Sequence, residues 1–352
     1  MILNLFADFF TRYSVQFSLA LGLAFVLTLW FGNIIIPKLA AAKKMGQPVR
    51  TDGPASHAEK KGTPSMGGLI FIPAILISAI LFMDRSSLIA WIPLFALVGF
   101  GVIGFIDDWG KITRGNSYAG LSAKGRLIAE GFVAIFLAFL IDATMPVYVL
   151  PLSVYFPFGI AASFGIFYFI WAYLVIVGTS NATNIADGLD GMLSKLYLGP
   201  VFVLLVALIG ITRTGFMPNL LFLPEAAALF PVLGATVGGV LGFLWFNAKP
   251  AAVFMGDGGS LGLGALLGSA ALLMKSEIVM GIAAGMFVII LLSSFIQMMY
   301  YKFSSDKRNP PFLMAPLHHH FEKKGWPETK IVERFFIISI IFAGIAIAVM
   351  KL

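Results

Sequence analysis

Cysteine is absent from the chain, so no disulfide framework, thiolate metal site or cysteine nucleophile is available. Charge is scarce: Asp, Glu, Lys and Arg make up 12% of the 352 residues, against about 25% in a soluble domain. Hydrophobic residues reach 59% and the mean hydropathy is +0.94. Together these values exclude an ordinary soluble enzyme, a disordered chain and a coiled coil. No basic stretch or small-residue cleavage pattern accompanies the first apolar run, Val15 to Ile36, so it reads as a span and not as a signal peptide. No internal repeat is visible, so the inverted-repeat signature of many secondary transporters is missing too.

What the sequence does contain is apolar runs. They lie at about 15–37, 66–83, 87–106, 127–142, 161–179, 193–211, 228–246, 259–274, 278–301 and 333–350. At about 20 residues per crossing, they predict an all-α polytopic membrane protein with about ten helices, in one domain over residues 1–352. The segment Val147–Ile160 is apolar but rich in proline and aromatics, and reads as an outer-face hairpin or interfacial piece. Gly234, Gly238 and Gly242, then Gly264 and Gly268, have the four-residue spacing of close helix packing.

The net charge of +7 is explained by topology, so no nucleic acid partner is expected. One alternate set of connections, from Lys38 to Arg334, holds nineteen of the 24 basic residues. The other set holds only Arg12, Arg85, Arg213, Lys275 and Lys351. Cytoplasmic loops carry the Lys/Arg excess, so the first set is cytoplasmic and both termini face outward.

Four polar clusters fall on that cytoplasmic side: Asp107-Asp108; Asn181, Asn184, Asp187 and Asp190; Asn247 with Asp257; and His318-His319-His320. Outward connections offer only the scattered acids Asp84, Asp142, Glu225 and Glu277. A transporter would place such groups near the bilayer midplane, so convergence at one face points to an enzyme site.

Each cluster has its own chemistry. Two adjacent carboxylates at the end of an apolar helix are costly without a cation. Mg²⁺ takes one or two carboxylates plus substrate phosphates, although solvated acids, or acids paired with Lys111 and Arg114, fit the same string. Asn184, Asp187 and Asp190 are three apart and share one face if the segment is helical, while two Asp-Gly steps argue for turns. Such a face suits a nucleobase, ribose or sugar. In Asn247-Ala-Lys-Pro-Ala-Ala-Val-Phe-Met-Gly-Asp-Gly-Gly-Ser260, the glycines before a helix are expected to cradle a phosphate. Phe254 is open to base stacking or to simple interfacial anchoring. Adjacent histidines point different ways, so the triple histidine favours phosphate contact or acid–base work over one shared Zn²⁺. His57 is a lone loop histidine. Glu130 sits inside the fourth span, a functional candidate by position, yet close enough to Arg126 to snorkel.

These motifs together resemble the phospho-N-acetylmuramoyl-pentapeptide-transferase family, within the polyprenyl-phosphate N-acetylhexosamine-1-phosphate transferase superfamily. The matching strings are Val49-Arg-Thr-Asp-Gly-Pro-Ala-Ser-His57, Lys61-Gly-Thr-Pro-Ser-Met-Gly-Gly68, Gly104-Phe-Ile-Asp-Asp-Trp109, Asn181 to Gly191, Gly242-Phe-Leu-Trp-Phe-Asn247, Phe254-Met-Gly-Asp257, Ala315-Pro-Leu-His-His-His320 and Gly325-Trp-Pro327. They cover nearly the whole chain in family order.

The resemblance implies ten spans with periplasmic termini in the bacterial cytoplasmic (inner) membrane, and a homodimer among membrane lipids. The implied reaction is Mg²⁺-dependent: UDP-MurNAc-pentapeptide and undecaprenyl phosphate give lipid I and UMP, a step of peptidoglycan synthesis. By the same analogy Asp107, Asp108, Asp257 and His318 are catalytic, and Asp257 is the Mg²⁺ ligand. Lys60, Asn184, Asp187, Phe254 and Gln297 are expected on the uridine part, with Asp190 and Asn247 facing that cleft and His319 binding substrate. Asp107 is open to three roles, as base, metal ligand or nucleophile. Two departures stand out: Ile290 where relatives carry Glu, and Gly258 where the usual residue is Val. The nearest alternative within the superfamily transfers N-acetylglucosamine-1-phosphate, and the triple histidine argues against it.

Overall fold

The computed structural model describes residues 13–41, 62–115, 120–150, 152–212, 221, 223–304 and 307–351. The helices are α1 (Tyr13–Ala41), α2 (Gly68–Phe82), α3 (Leu88–Arg114), α4 (Ala123–Thr144), α5 (Tyr168–Ala186), α6 (Met192–Thr212) and α7 (Phe230–Asn247). They continue with α8 (Gly256–Leu273), α9 (Glu277–Ala283), α10 (Gly285–Phe303), α11 (Leu317–Lys323) and α12 (Glu328–Lys351). Two short strands, β1 (Ser153–Phe156) and β2 (Ile160–Ser163), pair antiparallel with Ser153 opposite Ser163.

Every apolar run of the sequence forms a helix, and among the described residues eight helices are long and apolar enough to cross a membrane. The chain is a multi-pass membrane protein. Two of the ten expected spans fall outside that eight. With 15 residues α2 reaches about 22 Å, short of a ~30 Å hydrocarbon core. Helix α8 is the glycine-rich one, and every residue in it except Asp257 is buried.

That burial shows why α8 is rich in glycine. A β-carbon at Gly264 or Gly268 would strike Thr183 or Thr179 of α5, and one at Gly104 of α3 would strike the Asp257 carbonyl. In lipid no hydrophobic force draws helices together, so close backbone approach and interhelical hydrogen bonds hold them. Ser180 donates to the Leu261 carbonyl (3.0 Å), Thr183 to Ser260 (2.9 Å) and Tyr197 to Leu263 (2.8 Å). The stripe Gly234, Gly238 and Gly242 on α7 likewise lies against Phe17, Leu21 and Thr28 of α1.

Two boundaries differ from the sequence expectation. The hairpin extends to Ser163 and a 3₁₀ turn at Gly165–Phe167 precedes α5, so the fifth helix begins at Tyr168 and not near 161. Gly165, at φ +51°, adopts the left-handed backbone that ends the strand. Lys275 fastens this hairpin to the bundle by donating to the Ser153 carbonyl (3.1 Å) and the Tyr168 hydroxyl (3.2 Å). The ninth run breaks at Ala284 into α9 and α10, flanked by the weak helix formers Gly281 and Gly285.

Candidate active site

Asp107 and Asp108 end the apolar part of α3, and Asp257 occupies the first turn of α8. The tight α3–α8 crossing at Gly101, Gly104 and Gly258 brings these carboxylates together across 150 residues of chain. Lys111, one turn beyond Asp107, places its Nζ 2.6 Å from both Asp107 Oδ2 and Asp257 Oδ2. Asp107 Oδ1 also accepts from the Leu121 backbone N–H. Asp108 Oδ2 accepts from the Gly258 N–H at 3.2 Å. Asn184 on α5 donates to Asp257 Oδ1 (2.8 Å) and to Ser260 Oγ (2.9 Å).

This geometry revises the role of the glycine turn. A carboxylate of the chain itself already takes the Gly258 N–H, and Gly258 and Gly259 admit α3 and α2 at close range. The glycines therefore serve helix packing, and the Gly258 N–H is a seat for Asp108. The turn is pinned from behind: Phe254 N–H donates to the Pro64 carbonyl (2.9 Å), Gly67 to Phe254 (2.8 Å) and Gly68 to Met255 (3.1 Å).

The remaining expected residues form two adjoining groups. Helix α5 ends at Ala186 with Asp187 as its C-cap, so Asn184 lies on the helix while Asp187 and Asp190 lie in the following turn. The helical expectation holds for Asn184 and the turn expectation for Asp187 and Asp190. Asp190 accepts from Ala251 N–H (3.2 Å), and Glu328 accepts from Asp190 N–H (2.7 Å) and Lys249 Nζ (2.6 Å). Asn247 commits both ends of its amide to backbone, accepting from Gly191 (3.1 Å) and donating to Val253 (2.9 Å). These bonds fix the turn that carries Asp187.

The third group is α11. His318 is buried against Gly188, where any side chain would collide with its Nε2. His319 Nδ1 lies 2.6 Å from Glu322. His320 Nδ1 accepts from Leu313 N–H at 3.0 Å, which requires a neutral ring, and burial with nearby Lys324 holds its pKa below the ordinary value. Gln297 clamps Phe312 at both backbone groups (2.9 and 3.2 Å). Lys60 and His57 lie outside the described residues.

The donor set bears on metal binding. Among the described residues no three His, Asp or Glu side chains stand at metal-ligand spacing. Asp107 and Asp257 nevertheless face one point, since the Lys111 ammonium touches both. Two convergent carboxylates fit Mg²⁺, which completes its shell with water and substrate phosphate, and do not fit an all-protein cage.

Three residues adjoin the cluster beyond the expected catalytic set. The sequence offers Lys111 only as an ion-pair partner of the Asp pair, Glu130 as a candidate inside the fourth span, and Arg126 as the neighbour of Glu130. Arg126 reaches Asp257 Oδ2 at 3.7 Å, Glu130 Oε1 at 3.5 Å and Asn181 Oδ1 at 3.2 Å. The i, i+4 spacings Asp107–Lys111 and Arg126–Glu130 were the available signal.

A helical membrane bundle with buried carboxylates and cations gathered at one end of α3 and α8 defines a class, and residues 90–275 match the family model of glycosyl transferase family 4. Residues 60–72 match phospho-N-acetylmuramoyl-pentapeptide-transferase signature 1. The phospho-N-acetylmuramoyl-pentapeptide-transferase of Rickettsia canadensis (strain McKiel) is 41% identical over 100% of this chain and 96% of its own length. That of Rickettsia bellii (strain RML369-C) is 43% identical over 94% of this chain and 92% of its own. The chain belongs to the phospho-N-acetylmuramoyl-pentapeptide-transferase family.

Proposed function

We propose that the protein transfers phospho-MurNAc-pentapeptide from UDP-MurNAc-pentapeptide to undecaprenyl phosphate, releasing UMP and forming lipid I at the cytoplasmic face of the bacterial inner membrane. The observation that carries this reading is the meeting of Asp107, Asp108 and Asp257 around Lys111, at the end of an apolar bundle of this family. Charges and lipid can meet only where polar groups sit at the membrane boundary.

In the reaction an oxygen of the lipid phosphate attacks the β-phosphorus, the bond from that phosphorus to the bridging oxygen breaks, and UMP leaves with the electron pair. A lipid phosphate ionised near neutral pH carries no proton that must be removed from its attacking oxygen. Such transfers depend on positioning and on neutralising charge. Asp257 and Asp107 would hold Mg²⁺, which when bound neutralises the diphosphate. Lys111 stands within reach of the same point and supplies a second cation. Asn184 orients Asp257 through its Oδ1, and Ser260 orients Asn184. Asp108, fixed on the Gly258 N–H, keeps the first turn of α8 facing α3. His318, held under Gly188, stands beside the turn of Asp187 and Asp190, where the nucleotide and sugar are read. By the family resemblance Lys60, Phe254 and His319 would contact the substrate, while Gln297 and Asn247, whose amides are bound to backbone, hold the walls of the cleft. Cytoplasmic loops, periplasmic termini and a homodimer belong to the same proposal.

Purified protein supplied with undecaprenyl phosphate and either UDP-MurNAc-pentapeptide or UDP-N-acetylglucosamine is the test. UMP release with the first alone supports the assignment. Release with the second alone transfers the protein to the N-acetylglucosamine branch of the superfamily, and release with neither overturns the proposal.

A further inference from the structure

Helix α4 carries one carboxylate into the bundle. Glu130 stands two turns past the Ser122 cap and is fully buried. An ionisable group at that position is costly in a membrane protein and is kept by a partner or a function. Its partners form a chain that runs through Asn181 to Arg126. Asn181 Nδ2 donates to Glu130 Oε2 at 2.7 Å and to the Val177 carbonyl at 3.0 Å. Arg126 Nη2 donates to Asn181 Oδ1 at 3.2 Å, and its Nε lies 3.5 Å from Glu130 Oε1.

A guanidinium is a rigid planar fork, so fixing two of its nitrogens fixes the third. Asn181 holds Nη2 by a hydrogen bond and Glu130 attracts Nε across a 3.5 Å ion pair without a hydrogen bond, which leaves Nη1 as the end directed at the carboxylate cluster. Nη1 lies 3.7 Å from Asp257 Oδ2, beyond hydrogen-bond length, whereas Lys111 lies 2.6 Å from the same oxygen. Arg126 is thus tied to Asp257 by a loose ion pair alone, while its one hydrogen bond goes to Asn181.

We propose that Glu130 and Asn181 are positioning residues that hold Arg126 back from Asp257 and aim Nη1 at the diphosphate of the nucleotide substrate. The identity of that diphosphate rests on the function proposed above. Two consequences follow from removing Glu130. The fork loses its orientation toward phosphate, and Arg126 becomes free to close on Asp257 and cancel the charge that attracts a divalent cation.

The test is calorimetry on the detergent-solubilised full chain, titrating UDP in the presence of Mg²⁺, and Mg²⁺ alone in a separate series. The variants are Glu130→Ala, Asn181→Ala, Arg126→Ala and the double Glu130→Ala/Arg126→Ala. Each single substitution should weaken UDP binding about tenfold, the scale of one charged hydrogen bond. The double variant should bind UDP no worse than Arg126→Ala within about twofold, because coupled residues are non-additive. Mg²⁺ binding should weaken in Glu130→Ala and recover in the double variant, where no arginine remains to close on Asp257. A purely structural role predicts the opposite pattern, with losses that multiply and Mg²⁺ binding that does not recover. Either result overturns the proposal. If Glu130→Ala fails to fold, Asn181→Ala and Glu130→Gln carry the same cycle, with Glu130→Gln showing a smaller shift of the same pattern. Turnover is scored separately: a wild type that binds UDP with this coupling yet forms no lipid I sinks the reaction and leaves the positioning intact.

Discussion

Gly104→Ala is the smallest change that separates the clustered carboxylates of α3 and α8. A β-carbon at Gly104 would meet the Asp257 carbonyl group and stand 2.5 Å from the Gly258 nitrogen. All of these are backbone atoms of α8, so no side chain can rotate away. Restoring ordinary contact of about 3.4 Å requires α3 and α8 to part by about 1 Å, and a 1 Å misplacement at a reacting centre costs about 10² in rate. That factor is about 2.7 kcal/mol of barrier. Overpacking also costs about 1–3 kcal/mol of stability. The assay is UMP release at saturating substrates, with thermal unfolding in detergent alongside and Gly22→Ala on the exposed side of α1 as control. The expected outcome is a rate about a hundredfold lower in a protein that still folds, with the control unchanged. A Gly104→Ala enzyme within threefold of wild type would refute the claim that the α3–α8 approach sets the site.

Asp257→Asn should abolish transfer without unfolding the protein, since the side chain keeps its shape but loses the charge shared by Lys111 and Asn184; more than about a tenth of the wild-type rate at saturating Mg²⁺ contradicts that role. Lys111→Met leaves two carboxylates without their shared cation, so the melting temperature should fall, and added Mg²⁺ should restore more of it than in wild type. His320 has a lowered pKa, so its contribution to stability is present above about pH 6.5 and is lost as pH falls, when protonation of Nδ1 ends the bond from Leu313. His320→Asn, which keeps an acceptor that does not titrate, should flatten that acid limb by about 1 kcal/mol in unfolding scans at pH 7.5 and 5.5. Single cysteines in this cysteine-free chain test the topology: Thr113→Cys should react with an impermeant reagent only from the cytoplasm and Ser86→Cys only from outside.

The helical plan was legible because apolar length alone marks a helix that meets lipid, whatever its periodicity. Its breaks were less so. Gly281 and Gly285 flank the break at Ala284, yet Gly285 also packs closely on Phe342 as the glycines of α7 pack on α1, so glycine spacing alone does not mark the break. The polar residues were readable as a set, since they recur at the same ends of apolar runs. Their individual partners were not. Lys111 shows its spacing to Asp107 in the sequence, but its contact with Asp257 spans 146 residues. Asn247 and Gln297 look like substrate contacts, yet their amides are bound to Gly191, Val253 and Phe312, because composition does not say which partner an amide takes. The glycine turn is a case of the same kind: its Gly258 N–H is taken by Asp108, far away in sequence.

The central claim is that the nucleotide's diphosphate is cleaved at the Asp107–Asp108–Asp257 cluster, with attack on the β-phosphorus. UDP-MurNAc-pentapeptide labelled separately at each phosphorus tests it in one experiment with undecaprenyl phosphate. The β label should enter the organic-extractable lipid and the α label should leave as UMP, and both transfers should vanish in Asp257→Asn. Appearance of the α label in the lipid, or transfer undiminished in Asp257→Asn, would contradict the account.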